Sequence, residues 1–484
     1  VALLGAPGAG RAAPLAFHLS FDRAVSERPF SGRVYVILSK QDVQQLPSGP
    51  NWFKPEPVFT LDVKDWRPGQ TLVLDGRAQG YPYPLAKVPP DTWSIQAVMD
   101  FDRGTRSFST AEGNGYSKAL RRPLDGAASG PVALHLDQVY HQRPFRETQR
   151  VKLVEIESRL LAAFYGRPTR MRAGVVLPAS YASSPQRKYP VVYEVPGFGG
   201  NHFMALRRAE ENFTDLAGTE AIWVVLDPGC RWGHHVFADS DNNGPCGRAL
   251  VEELIPAVEG WYRTLGPRGR LVTGHSSGGW SSLWLQVTYP GEFAGVWSTA
   301  PDPVDFRDFQ QIDLYRPGVS MFTDEQGRLR PLARRAGVPV VYYKAFSDME
   351  EVMGHGGQLG SFEAVFGPPG TDGRPCSLWD RGTGAVDPAV ARAWQRYDIR
   401  LKLENNWKQL GPKLAGKLHV YVGGQDTFYL EGAVGRLKES LARLGSDAVV
   451  EVIPGRDHGS LMDRPMRQRI AREMAAQLRQ QGVQ

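Results

Sequence analysis

Cysteine is scarce in this chain, with only Cys230, Cys246 and Cys376 among 484 residues. No C-x-x-C pair occurs, which argues against a zinc ribbon or a thioredoxin-like redox motif. Cys230 and Cys246 flank one loop, and in an exported protein they would close a local disulfide that leaves Cys376 over. Long apolar runs are also missing, and none approaches the ~20 residues of a membrane span. Charge of one sign is never concentrated. Lys and Arg number 57 against 51 Asp and Glu, a net charge of +6 interspersed along the chain. That mild basicity reads as a solvated surface, not as a nucleic-acid footprint. There is no internal repeat, and no phosphate loop. The run Gly197-Phe198-Gly199-Gly200 has no Lys-Ser/Thr after it and lacks the dinucleotide pattern.

The length favours two domains. Residues 1–16 are rich in Ala, Gly and Leu and read as a signal remnant or a disordered N-terminus, which brings the expectation of a secreted or periplasmic protein. Residues 17–148 carry short strand-like runs (Phe17–Phe21, Arg33–Leu38, Val58–Val63, Thr71–Leu74, Ser94–Asp100, Val132–Leu136) between turn signals such as Arg67-Pro-Gly and Asp75-Gly. No convincing helix lies among them, so an all-β sandwich of immunoglobulin-like type is expected. Residues 149–484 alternate strands with helices after two opening antiparallel strands, the pattern of a mostly parallel sheet covered on both faces. A Pro-, Gly- and aromatic-rich insertion at about 302–415 interrupts that order and is expected to form a lid or a pocket wall. A helix over Ala249–Tyr262 is predicted to be kinked at Pro256, with Leu250, Leu254, Ala257 and Trp261 on its buried face.

Gly274-His275-Ser276-Ser277-Gly278 fits the G-x-S-x-G nucleophile elbow. The strand-like Arg270–Thr273 precedes it. A helix with Trp280, Leu283, Trp284 and Val287 on one stripe comes after it. A serine needs a base, and the base needs a carboxylate to orient it. In this architecture they come in the order Ser, Asp/Glu, His at the carboxyl ends of late strands. Leu418–Val422 runs into Gly-Gly-Gln-Asp426, and Val449–Ile453 runs into Pro-Gly-Arg-Asp-His458. Ser276 is thus the candidate nucleophile, His458 the base and Asp426 its acid. Asp457 is the rival acid, but a residue adjacent to the histidine seldom turns onto its ring. His275 is expected to pack against the sheet. The N–H of Ser277 is the expected first oxyanion donor, and Phe198, with Gly199 as runner-up, supplies the second.

Trp232, His234 and His235 lie in a loop expected to face the pocket as an aromatic, hydrogen-bonding wall for a ring-bearing acyl or sugar group. Asp239–Gly244 fits the first half of a calcium loop, but Leu250 stands where the twelfth-position Glu should be, and Asn243-Gly-Pro reads instead as a rigid turn into the following helix. No metal and no organic cofactor is implied.

The residues Pro196-Gly-Phe-Gly-Gly, Asn243-Gly-Pro, Glu253-Leu-Ile-Pro256, Gly274-His-Ser-Ser-Gly-Gly279, Gly424-Gln-Asp426 and Pro454-Gly-Arg-Asp-His458 resemble the putative esterase family, which includes esterase D and enterochelin-esterase-like hydrolases. The resemblance runs from about Val151 to the C-terminus. It implies an α/β-hydrolase fold and serine-dependent hydrolysis of carboxylic esters, with Ser276, Asp426 and His458 matching the family triad; the expected partner is a small-molecule or carbohydrate ester substrate. Pro196 stands where many members have His, and the insertion before Asp426 is long. Two other readings keep the same residues: acyl transfer to a carbohydrate acceptor, and a catalytically silent binding protein on a hydrolase scaffold. The sequence gives no oligomeric state.

Overall fold

A computed structural model describes residues 13–44, 51–102 and 104–483. Most of the expected N-terminal remnant lies outside the described residues. Its last part is already structural, because Leu15 is buried and a strand begins at Ala16.

The chain divides into two units, Val1–Arg143 with Ala345–Gly357, and Pro144–Lys344 with Gln358–Gln484. The first unit is built on one hydrogen-bonded path of strands: Leu72–Leu74, Ala16–Phe21, Pro131–Val139, Gly115–Ser117, Asp91–Asp100, Phe30–Ser39, Val58–Trp66 and Gln79–Tyr81, with Leu120–Leu124 also on Asp91–Asp100. Among the described residues, only the pairing of Ala16–Phe21 with Pro131–Val139 is parallel. Both limbs of this path contribute to one apolar cluster. Phe17, Leu19 and Phe21 meet Val34, Val36, Phe59, Trp93 and Ile95 there. Each such side chain contributes roughly 1.5–3 kcal/mol by burial. Leu120–Leu124, which sequence patterning did not single out, carries two arginines and Pro123 and pairs on one side only, as an edge strand does.

One piece of the long insertion, Ala345–Gly357, belongs to this first unit. The helix Tyr343–Met353 ends with its last carbonyls capped by the first unit's own side chains. Arg33 Nη1 donates to Glu351 O at 3.3 Å and Val352 O at 3.1 Å, and the Tyr35 hydroxyl donates to Met353 O at 2.7 Å. These bonds satisfy acceptors that a helix C-terminus leaves open. Phe346 packs edge-on against Trp52, with ring centroids 5.1 Å apart.

The second unit is organised by an eight-stranded sheet in the order Val151–Glu157, Arg170–Val176, Ile222–Leu226, Val191–Val195, Arg270–His275, Gly295–Thr299, Leu418–Gly423 and Val449–Ile453. The sheet is mixed. The first two junctions are antiparallel and the other five are parallel. Val191–Val195, Ile222–Leu226 and Gly295–Thr299 are buried at every position, because helices cover both faces. The helix Ser277–Thr288 is buried from Ser277 through Val287 rather than along one stripe. Part of the insertion is the reason. Phe366 packs on Trp280 and Tyr397 on Trp284 (centroids 5.1 and 5.6 Å), and Phe306, Phe309 and Trp394 extend the same aromatic cluster.

The predicted helix before the elbow is present but re-registered. It runs as Cys246–Ala249, a π-turn at Leu250–Leu254 and Ile255–Trp261. The wide turn relieves the clash that Pro256 would make with the preceding turn. Its extra residue rotates the last two turns of the helix, so Ile255 and Val258 are buried and Trp261, expected on the buried face, is 57% exposed.

Candidate active site

The elbow forms because glycines let three backbones converge. A Cβ on Gly274 would lie 2.0 Å from Gly278 O, and one on Gly278 would lie 1.9 Å from Val195 O. No side chain fits at either place. Between strand and helix, Ser276 adopts φ 61° and ψ −126°, a conformation costly for any residue but glycine. Its own bonds hold it there. The Ser276 N–H donates to Thr299 O at 3.0 Å, while its carbonyl accepts from the N–H of Trp280 at 3.0 Å and of Asp302 at 3.3 Å.

His458 and Asp426 come together at the ends of adjacent strands. His458 Nδ1 lies 2.8 Å from Asp426 Oδ2, and Asp426 is fully buried. A carboxylate only accepts, so Nδ1 carries a proton, and in the neutral ring Nε2 keeps its lone pair. The other Asp426 oxygen accepts from the Phe428 N–H at 2.8 Å. The Phe428 ring stands edge-on to the imidazole (centroids 4.9 Å), and the ring of His275, immediately before Ser276, lies 4.6 Å from it. Burial works to lower the His458 pKa, but the carboxylates of Asp426, Asp302 and Asp457 outweigh it and hold the group above the usual histidine value. Asp457 bonds elsewhere, accepting from the Ser460 N–H at 2.7 Å. His275 sits with Nδ1 3.1 Å from Thr299 Oγ1, and burial and the neighbouring His458 push its pKa down to about 3.

The loop after Val191–Val195 runs against the elbow. A Cβ on Gly197 would lie 3.0 Å from His275 O and 3.4 Å from Ser276 Cβ. Phe198 is half-buried and Gly199, at φ 86°, is exposed. His234 braces this loop. Its Nδ1 accepts from the Val236 N–H at 3.0 Å, so Nε2 carries the proton and donates to Pro196 O at 2.8 Å. Both nitrogens are thereby committed to backbone, and the hydrogen-bonding wall expected of His234 is instead a support beneath the loop. His235 is buried as well. Its Nδ1 accepts from the Phe237 N–H at 3.1 Å, and burial lowers its pKa to about 4. Trp232 remains half-exposed, with the Arg231 guanidinium 4.5 Å from its ring centroid.

The two loop cysteines are thiols in this structure, not a disulfide. Both rest on Asn243. Cys230 Sγ is 3.5 Å from its Oδ1, and Cys246 Sγ donates to its carbonyl at 3.2 Å. Asp239 accepts from the N–H groups of Gly247 and Arg248 (2.8 and 3.0 Å), which employs that carboxylate as a helix cap.

Three site residues carried no sequence signal. Asp302 is buried under the elbow, where its Oδ2 accepts from Ser277 Oγ at 2.6 Å and burial raises its pKa to about 6. Gln358 Nε2 donates to Ser277 Oγ at 3.1 Å and to Asp302 Oδ2 at 3.3 Å. Arg334, from the hairpin Pro331–Arg335/Val338–Tyr342, clamps the acid loop. Its Nε donates to Asp426 O at 2.9 Å, its backbone N–H to Thr427 O at 2.8 Å and its Nη2 to the Glu431 carboxylate.

A serine on a strained strand–helix turn, with an acid and a histidine at successive later strand ends, defines a serine hydrolase of the α/β-hydrolase class. The chain belongs to the putative esterase family, whose sequence profile matches residues 167–454, so the second unit is a serine ester hydrolase. No curated protein matches the chain. Among solved structures it is similar to a ferulic acid esterase (13% identity, TM-score 0.41, covering 68% of this chain and 98% of that one). It is likewise similar to an S-formylglutathione hydrolase from Agrobacterium tumefaciens (14%, TM-score 0.41, 68% and 95%). A third is a fluorophosphonate-binding serine hydrolase of Staphylococcus aureus (16%, TM-score 0.38, 68% and 98%).

Proposed function

We propose that the second unit hydrolyses carboxylic esters through an acyl-enzyme on Ser276. His458 Nε2 takes the Ser276 proton as Oγ attacks the ester carbonyl, and then gives it to the leaving alcohol. Asp426 holds the ring in the tautomer that leaves Nε2 free and stabilises the imidazolium. The N–H groups of Ser277 and Phe198, with Gly199 as runner-up, receive the oxyanion. Water then releases the acid by the same steps in reverse order. The observation that carries this reading is the 2.8 Å bond from His458 to a fully buried Asp426, with the imidazole against the residue preceding the strained serine. Half-exposed Trp232 supports a substrate with an aromatic or sugar group, for which a flat ring is a natural platform. We read the first unit as an immunoglobulin-like sandwich. The test is turnover of aryl, feruloyl and acetyl-sugar esters by the parent and by Ser276→Ala. Parental hydrolysis in the variant overturns the assignment.

A further inference from the structure

We infer that Asp302 is a positioning residue that aims the oxyanion-binding N–H of Ser277, with Ser277 Oγ and Gln358 as its means. This role rests on Ser276, Asp426 and His458 acting as the proposed triad. The geometry concerns one peptide unit, the Ser276–Ser277 bond. In a trans peptide the C=O and the N–H point in opposite directions. Fixing the oxygen therefore fixes the hydrogen. Asp302 grips both sides of that unit. Its backbone N–H donates to Ser276 O at 3.3 Å, beside the helical bond from Trp280 N at 3.0 Å. Its carboxylate accepts from Ser277 Oγ at 2.6 Å. With the carbonyl held along the helix, the Ser277 N–H is turned out of the helix N-terminus, toward the space where an ester oxygen would sit above Ser276.

The grip needs a rigid anchor, and Asp302 has one. It comes after the central strand Gly295–Thr299 in the sequence Pro301-Asp302-Pro303, where two prolines restrict the backbone on either side. Gln358 Nε2 donates to Ser277 Oγ and to Asp302 Oδ2 together, at 3.1 and 3.3 Å, which closes a three-membered ring of hydrogen bonds under the elbow. A turn at positive φ needs such external fixing, because its local preference is for another conformation. The helix begins at Ser277 and has no side-chain cap from Ser276, so this ring adds to the backbone bonds that already hold Ser276.

The experiment compares Ser277→Ala, Asp302→Ala, their double variant and Asp302→Asn in steady-state ester hydrolysis by the full chain. A donor that is misaimed rather than lost costs less than the ~10²–10³ of outright removal. The expectation is a 10- to 100-fold fall in kcat for each alanine variant, with KM within about twofold. The double variant falls no further than either single, because both break the same contact. Asp302→Asn can still accept from Ser277 Oγ and returns kcat to within about threefold of the parent. Parental kcat in Ser277→Ala or Asp302→Ala overturns the inference, as does a double variant whose losses multiply. Ser276→Ala separates this failure from that of the triad: retained turnover there overturns the site itself, whereas lost turnover there beside unaffected Asp302 variants overturns the role of Asp302 alone.

Discussion

Replacing Asp426 by asparagine removes one charge and keeps the outline of the side chain, yet the amide cannot choose its orientation. The Phe428 N–H donates to Oδ1 at 2.8 Å, so the carbonyl oxygen of an asparagine stays at that position. Its NH₂ then occupies the place of Oδ2, which lies 2.8 Å from His458 Nδ1. Two donors cannot meet there. The imidazole moves its proton to Nε2, the nitrogen that must be empty to accept from Ser276. A base locked in the wrong tautomer loses about 10⁴-fold in kcat. That is four factors of ten at ~1.36 kcal/mol each, or ~5 kcal/mol of barrier. The assay is kcat and KM for p-nitrophenyl acetate at pH 7 and above, with Ser276→Ala as the floor. KM should change little, because the substrate does not touch Asp426. A fall of less than tenfold would refute the reasoning, since some other group would then be orienting the ring.

His235 has its folded-state pKa depressed to about 4, so the unfolded chain, with an ordinary value of 6.5, binds the proton first. Stability is lost as pH falls from about 6.5 toward 4, by up to ~1.4 kcal/mol per pH unit for this group. Urea midpoints should show a shallower slope across that window in His235→Gln, and an unchanged slope contradicts the assignment. Gly278→Ala puts a Cβ 1.9 Å from Val195 O, so it should destabilise by at least the ~1–3 kcal/mol of ordinary overpacking, with activity falling in step. Thermal melting decides it, and a parental melting temperature would count against the convergence at the elbow. Arg334→Met removes the bonds to Asp426 O and Glu431 and should cost ~1.5–3 kcal/mol in stability. It should also lower kcat more than it raises KM, and kinetics with both constants unchanged would mean that the clamp does not matter to the acid loop.

A feature is legible in the sequence to the extent that its physical constraint is local. The elbow reads from Gly274 to Gly278 because its steric demand falls within five residues, and the structure places those glycines where a Cβ has no room. Asp426 and His458 read from strand ends, since a run such as Leu418–Val422 announces its own termination. The pairing of His458 with Asp426 rather than Asp457 is a matter of reach. Asp302 did not read at all. Pro-Asp-Pro has the composition of an ordinary turn, and its task appears only when Ser277 and Gln358 arrive from elsewhere in the chain. His234 misled for a similar reason. A histidine pair in a loop invites a ligand, whereas both nitrogens here are taken by backbone groups, one of them 38 residues away. Trp261 shows the third kind of limit. A helical stripe assumes 3.6 residues per turn, and one π-turn at Leu250–Leu254 is enough to move a tryptophan from the inside to the surface.

The capping of the helix Tyr343–Met353 by Arg33 and Tyr35 bears on the order in which the protein is made. An N-terminal unit generally folds while the ribosome is still adding the rest of the chain. Here the hydroxyl of Tyr35 finds its acceptor 318 residues later. The first unit therefore emerges complete in its strands but without the helix that covers part of it, and must wait while more than half of the hydrolase sheet is synthesised. Contacts so distant in sequence close late and slowly. A shortened chain ending near Arg143 would lack that helix entirely, so expressing the β-rich unit alone should yield a less stable protein than the same unit supplied with the peptide 343–357.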